Sequence, residues 1–143
     1  MAHVSEKLVI VSGYFDPLHV GHLELFKKAG MTADMLLVIV NNDEQAKIKK
    51  TKSFMSQSDR IKIIHSIKYV DAAMISVDKD KTVCRTLERI AQIYTHHDII
   101  FANGGDRNQE EIPEAETCRK YNIKMVDGLG EKIRSSSDYT GLK

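Results

Sequence analysis

The chain contains no tryptophan and only two cysteines, Cys84 and Cys118, which lie far apart and make no C-x-x-C pair. That spacing speaks against a metal cluster or a redox dithiol, and two reduced thiols on helical segments are expected instead. No apolar run approaches the ~20 residues needed to span a bilayer. The stretch from Met1 to Lys7 lacks a basic segment followed by a long apolar one, so no leader or membrane partner is expected and the protein should be soluble and cytoplasmic. Charge of one sign is also missing: 21 Lys plus Arg stand against 20 Asp plus Glu, leaving a formal net charge of +1. No global field therefore draws the protein to nucleic acid or to a membrane. Without a basic face or interleaved aromatics, a nucleic-acid partner is not expected either. Two familiar phosphate loops are absent, since there is no G-x-x-x-x-G-K-[ST] and no G-x-G-x-x-G after the first apolar run. Any anion must be held locally by some other device.

What is present is enough for one folded unit. At 143 residues and 42% hydrophobic composition, residues 1–143 can bury a genuine core as a single domain. Leu8 to Val11 is a continuous β-branched apolar run ending at Ser12-Gly13, which reads as a strand buried on both faces. Leu23, Leu25, Phe26 and Ala29 mark a helix stopped near Gly30, and Met35 to Val40 reads as a second buried strand. A polar, Lys-rich loop is expected from Asn41 to Lys52. A helix then starts at Asp59 with Ser58 as its N-cap, carrying Ile61, Ile63, Ile64 and Ile67. Ala72 to Val77 is a third strand, Thr82 to Tyr94 a helix, and Ile99 to Ala102 a fourth strand ending in Asn103-Gly104-Gly105-Asp106. Pro113 suits a first helical turn, with that helix running to about Tyr121, and Ile123 to Val126 is a short fifth strand. This alternation predicts an α/β fold, a Rossmann-like doubly wound five-stranded parallel sheet. In such sheets ligands bind beyond the carboxyl ends of the strands, so the segments following these strands should converge on one crevice.

The densest chemistry lies in Ser12-Gly13-Tyr14-Phe15-Asp16-Pro17-Leu18-His19-Val20-Gly21-His22, at the junction of the first strand and first helix. His19 and His22 are three residues apart on a first helical turn, so both imidazoles share a face beside outward-pointing N–H groups. A helix N-terminus carries roughly half a positive charge, and imidazoles donate hydrogen bonds to phosphoryl oxygens. Gly21 permits close approach of a phosphate. The arrangement reads as a triphosphate-binding turn.

The pattern Gly13, Phe15, Asp16, His19, Gly21, His22 resembles the signature of the cytidylyltransferase-like nucleotidylyltransferase superfamily, a strand followed by G-x-F-D-x-x-H-x-G-H and a helix. The resemblance extends along nearly the full chain. It implies catalytic roles for His19, His22, Lys49 and Arg60, with Lys50 an equal candidate to Lys49 in the cluster Lys47, Lys49, Lys50, Lys52. Arg60 is implied to face the β- and γ-phosphates. Nucleotide contacts are implied for Gly13, Tyr14, Phe15, Asp16 and Gly21, for Gly105, Asp106 and Arg107 after the fourth strand, and for Ser135, Ser136 and Ser137 near the end. Arg134 stands where a small or aliphatic residue is usual, which leaves open which serine binds phosphate. Asp16 either approaches a metal or shapes the turn before Pro17.

The chain looks most like the small bacterial-type group that includes glycerol-3-phosphate cytidylyltransferases and the adenylyltransferase domain forming ADP-heptose. The R-T-E-G-I-S-T-T segment typical of the former is absent. The reaction implied is transfer of CMP or AMP from CTP or ATP to a phosphorylated small molecule such as a sugar or polyol phosphate, with release of pyrophosphate. Mg²⁺ is the implied cofactor and a homodimer the implied assembly. The alternative is a catalytically silent nucleotide-sensing module of the same fold.

Overall fold

Apolar, β-branched runs buried on both faces require helices above and below them, and that is how the chain is arranged. The computed structural model describes residues 5–16, 18–49, 55–103 and 113–127, with Lys49, Asn103 and Asp127 described by backbone alone. Strands β1 (Lys7–Gly13), β2 (Met35–Val40), β3 (Ala72–Ile75), β4 (Asp98–Asn103) and β5 (Lys124–Asp127) form one sheet in the order β3-β2-β1-β4-β5. Every pairing is parallel, with Leu8 opposite Met35 and Ile99, and Gly13 opposite Val40. All five carboxyl ends therefore lie along one edge.

Helices α1 (Val20–Thr32), α2 (Asp43–Lys49), α3 (Gln57–His65), α4 (Cys84–Ile93) and α5 (Glu114–Lys120) fill the connections. Side chains alternate along each strand, and the two faces collect different partners. Val9, Val11, Leu36, Val38 and Val40 pack with Phe26 and Ala29 of α1 and Ile64 of α3. Leu8, Ile10, Leu37 and Ile39 pack with Leu87 and Ile90 of α4 and Ala115 and Cys118 of α5. The sheet is thus doubly wound as expected. The chain moves outward from β1 to β3, then returns to place β4 on the other side of β1, so the strand order reverses between β1 and β4.

Four local expectations need correction. Helix α1 runs through Gly30 to Thr32, because Gly30 sits against the backbone carbonyl of Tyr69 and turns no corner. The expected loop from Asn41 to Lys52 contains helix α2. There Asn42 and Gln45 cap each other: Gln45 N–H donates to Asn42 Oδ1 and Asn42 N–H to Gln45 Oε1, both at 2.9 Å. Helix α3 starts two residues early, since Ser56 rather than Ser58 accepts the free N–H, that of Asp59, at 3.2 Å. Strand β3 stops at Ile75, and the turn beyond it is tied to α2 by Asn42 Nδ2 donating to the carbonyls of Ser76 and Asp78. No described helix is long and apolar enough to cross a membrane.

Candidate active site

The carboxyl end of β1 turns into α1 through a residue that ordinarily avoids such a turn. Phe15 has φ of 53°, the left-handed region that non-glycine residues enter at an energetic cost of about 1–2 kcal/mol. Burial offsets that cost: the Phe15 ring is 4% exposed. It meets the Phe26 ring edge to face at 5.5 Å and the His22 ring at 4.9 Å. Gly13 is required by the same contact, because a Cβ there would lie 2.9 Å from Phe15 Cζ. Phe15 therefore supports His22 from beneath, and its side chain is not placed to touch a ligand.

His19 is the N-cap of α1. Its Nδ1 accepts the Gly21 N–H at 3.1 Å, and Nδ1 of His22 accepts the His19 N–H at the same distance. A ring nitrogen that accepts a hydrogen bond carries no proton, so the proton of each neutral imidazole sits on Nε2. The rings stack at 3.9 Å between centroids. Two Nε2–H donors are thereby held side by side at a helix N-terminus, next to the point where strand order reverses.

Burial, and secondarily the adjacent His19, pushes the His22 pKa down from 6.5 to about 4. The group stays neutral in the fold across the physiological range while the unfolded chain takes up a proton below pH 6.5. Stability attributable to His22 is therefore lost as pH falls from 6.5 toward 4, by about 2 kcal/mol at pH 5. Urea unfolding of the wild type and of His22→Gln at pH 7.5 and pH 5 checks this. The wild type should lose the extra increment and the glutamine variant should not.

Arg60 departs from the role expected of it. Its side chain is buried. Nε donates to the Met55 carbonyl at 3.1 Å, Nη1 to the carbonyls of Tyr14 at 2.8 Å and Asn41 at 2.6 Å, and Nη2 to Asp43 Oδ1 at 2.8 Å. A guanidinium spent on four protein oxygens lies under the loops and is not turned toward a phosphate. Asp16 is likewise 3% exposed, and its Oδ1 accepts the Met55 N–H at 2.8 Å. Of the two readings of Asp16, this geometry favours the shaping of the turn. Among the described residues no group of three His, Cys, Asp or Glu side chains is placed to hold a metal ion.

Gly13, Tyr14, Phe15, Asp16, His19, Gly21 and His22 thus form one turn, with Arg60 beneath it. Lys49 is the last residue of α2 and its side chain is not described, while Lys50, Gly105, Asp106, Arg107, Ser135, Ser136 and Ser137 lie outside the described residues. The sequence reading missed Asp43 and Gln57. Gln57 N–H donates to Asp43 Oδ1 and Asp43 N–H to Gln57 Oε1, both at 2.9 Å. Their spacing of fourteen residues has no periodic signature; only the fold brings them together.

A parallel sheet of this order with a histidine-bearing turn at the end of its first strand defines a nucleotide-binding α/β class. Residues 10–138 match the family model described as cytidylyltransferase-like, and the chain belongs to that family. It is 32% identical over 135 residues to the FAD synthase of Aciduliprofundum boonei, a match covering 94% of this chain and 85% of that one. The bifunctional protein HldE of Geotalea uraniireducens is 30% identical over 144 residues, covering 92% of this chain and 28% of HldE. The glycerol-3-phosphate cytidylyltransferase of Staphylococcus aureus is 42% identical over 65 residues, covering 46% of this chain and 49% of that enzyme. The chain therefore matches only part of the length of two of these relatives. Among solved structures, a lipopolysaccharide core biosynthesis protein from Thermoplasma volcanium superposes with a TM-score of 0.71 at 25% identity, over 91% of this chain and all of that one.

Proposed function

We propose that this protein is a nucleotidyltransferase that moves CMP or AMP from a nucleoside triphosphate to the phosphate of a small molecule, releasing pyrophosphate. The observation that carries this reading is the pair of neutral, Nε2-protonated imidazoles fixed at the N-terminus of α1. An attacking phosphate monoester is already an anionic nucleophile and needs no general base. The demand on the protein is in-line alignment and neutralisation of charge as it grows on the α-phosphoryl oxygens and the leaving pyrophosphate. Two donors and a helix N-terminus meet the first part of that demand. Lys49 or Lys50 would meet the second. A hard divalent cation such as Mg²⁺ would enter bound to the triphosphate oxygens, as part of the substrate.

The relatives named above set the acceptors worth testing: glycerol phosphate, sugar phosphates and a flavin phosphate. Pyrophosphate release should be measured with MgCTP and MgATP separately against these acceptors, alongside choline phosphate. Turnover with one pair, slowed about a hundredfold in His19→Ala, is the expected result. Binding of a triphosphate without pyrophosphate release from any pair would replace the enzyme reading with that of a nucleotide-sensing module.

A further inference from the structure

Three chain segments that are far apart in sequence meet at one buried guanidinium. Tyr14 belongs to the histidine turn, Asn41 and Asp43 follow β2, and Met55 leads into α3; all four accept from Arg60. Met55 is held twice, because its N–H also donates to Asp16 of the histidine turn. The reciprocal Asp43 and Gln57 bonds close the two ends of the intervening stretch against each other. That stretch, residues 43–57, carries Lys47, Lys49, Lys50 and Lys52.

We propose that Arg60, paired with Asp43, is a positioning residue: it fixes the base of the lysine-bearing segment relative to His19 and His22 and so acts on the triphosphate through the lysines. The inference rests on the nucleotidyltransferase reading but needs only its triphosphate-binding half. The chemistry of the group explains why arginine is used. A planar guanidinium with five donors reaches carbonyls on three segments at once while its charge stays paired with a carboxylate. A lysine at the same position keeps the charge beside Asp43 and loses the span. Registry between two loops is then set by a buried object that no ligand displaces.

The test is a double-mutant cycle on affinity for MgATP and MgCTP, measured by calorimetry at a temperature where circular dichroism shows each variant folded. Arg60→Lys and Lys49→Ala/Lys50→Ala should each weaken binding of the preferred triphosphate about tenfold, and the combined variant should be no weaker than about tenfold, because the effects share one route. Gln57→Ala, which removes the side-chain acceptor for the Asp43 N–H at the base of the segment, provides a milder second probe. It should weaken binding about threefold and lose that effect in the lysine-free background. A combined loss of about a hundredfold, with the two changes acting independently, overturns the proposal, as does an Arg60→Lys protein that binds like the wild type. Should the wild type bind a triphosphate and turn over nothing, the transfer reading fails while the cycle still decides the role of Arg60. Should it bind neither triphosphate, both fall.

Discussion

Replacing His22 by alanine is expected to slow pyrophosphate release about a hundredfold, and replacement by asparagine nearly as much, while glutamine retains far more activity. The ordering follows from which nitrogen does what. Nδ1 of His22 accepts the His19 N–H and is part of the helix cap. Only Nε2 is left to donate outward. Asparagine places its amide oxygen near the Nδ1 position, so it preserves the cap and provides nothing where Nε2 stood. Glutamine is one methylene longer and carries its NH₂ group to about that place, at the expense of the cap bond, which is worth about 1 kcal/mol. A donor aimed at a developing oxyanion is worth roughly 3 kcal/mol, so the donor outweighs the cap in the rate and the cap shows instead in stability. Steady-state kinetics of the three variants with the preferred triphosphate and acceptor reads this directly. Asparagine outperforming glutamine would mean that His22 serves the helix and not the reaction.

The same ordering is expected at His19 in weaker form, because its Nδ1 caps α1 through the Gly21 N–H and its ring leans on that of His22. Removing His19 takes away one donor and also one wall of its neighbour. Part of any His19→Ala defect is therefore a displaced His22, and the two substitutions should combine to less than the product of their separate effects.

The fold was legible because strands β1 and β2 are written in consecutive Val, Ile and Leu, which a sheet covered on both faces can bury. β2 was placed to the residue, and the others differ only at their ends. The site was legible where chemistry sits within one turn of helix: His19, Gly21 and His22 need no tertiary information to be seen as neighbours. Legibility failed where the partner lies far along the chain. Arg60, opening a predicted helix after the lysine-rich segment, reads by resemblance as a phosphate-facing cation, and nothing local announces that its partners are Tyr14, Asn41, Asp43 and Met55. Phe15 reads as a motif residue facing the ligand; its positive φ turns the ring inward beneath His22. The helix within the lysine-rich segment had a signal that went unread, the Asn-x-x-Gln capping box at Asn42 and Gln45.

Arg60→Leu should destabilise the protein by roughly 4 kcal/mol, among the largest losses available to a single substitution here. Leucine keeps apolar bulk in the space and supplies no donor. The carbonyls of Tyr14, Asn41 and Met55 then lose their Arg60 bonds, and Asp43 keeps its charge without the cation beside it. Breaking a buried pair by removing one member costs about 3–5 kcal/mol, and each buried carbonyl left unsatisfied adds about 1–3 kcal/mol unless water reaches it. Asp43 is 37% exposed at its side chain, so solvent recovers part of its share, which holds the sum near the lower figures. For a domain whose total stability is of the order of 5–15 kcal/mol, that loss shifts the urea midpoint far toward water. Arg60→Lys, which retains the ion pair, should fall about midway, and Asp43→Asn, which keeps an acceptor for both Arg60 and Gln57, should lose the least. Urea unfolding of the four proteins at pH 7.5 gives the order. If leucine at position 60 cost under about 1 kcal/mol, the guanidinium would not be the tie that its hydrogen bonds describe, and the histidine turn would have to be held by the Phe15 packing and the Asp16–Met55 bond instead.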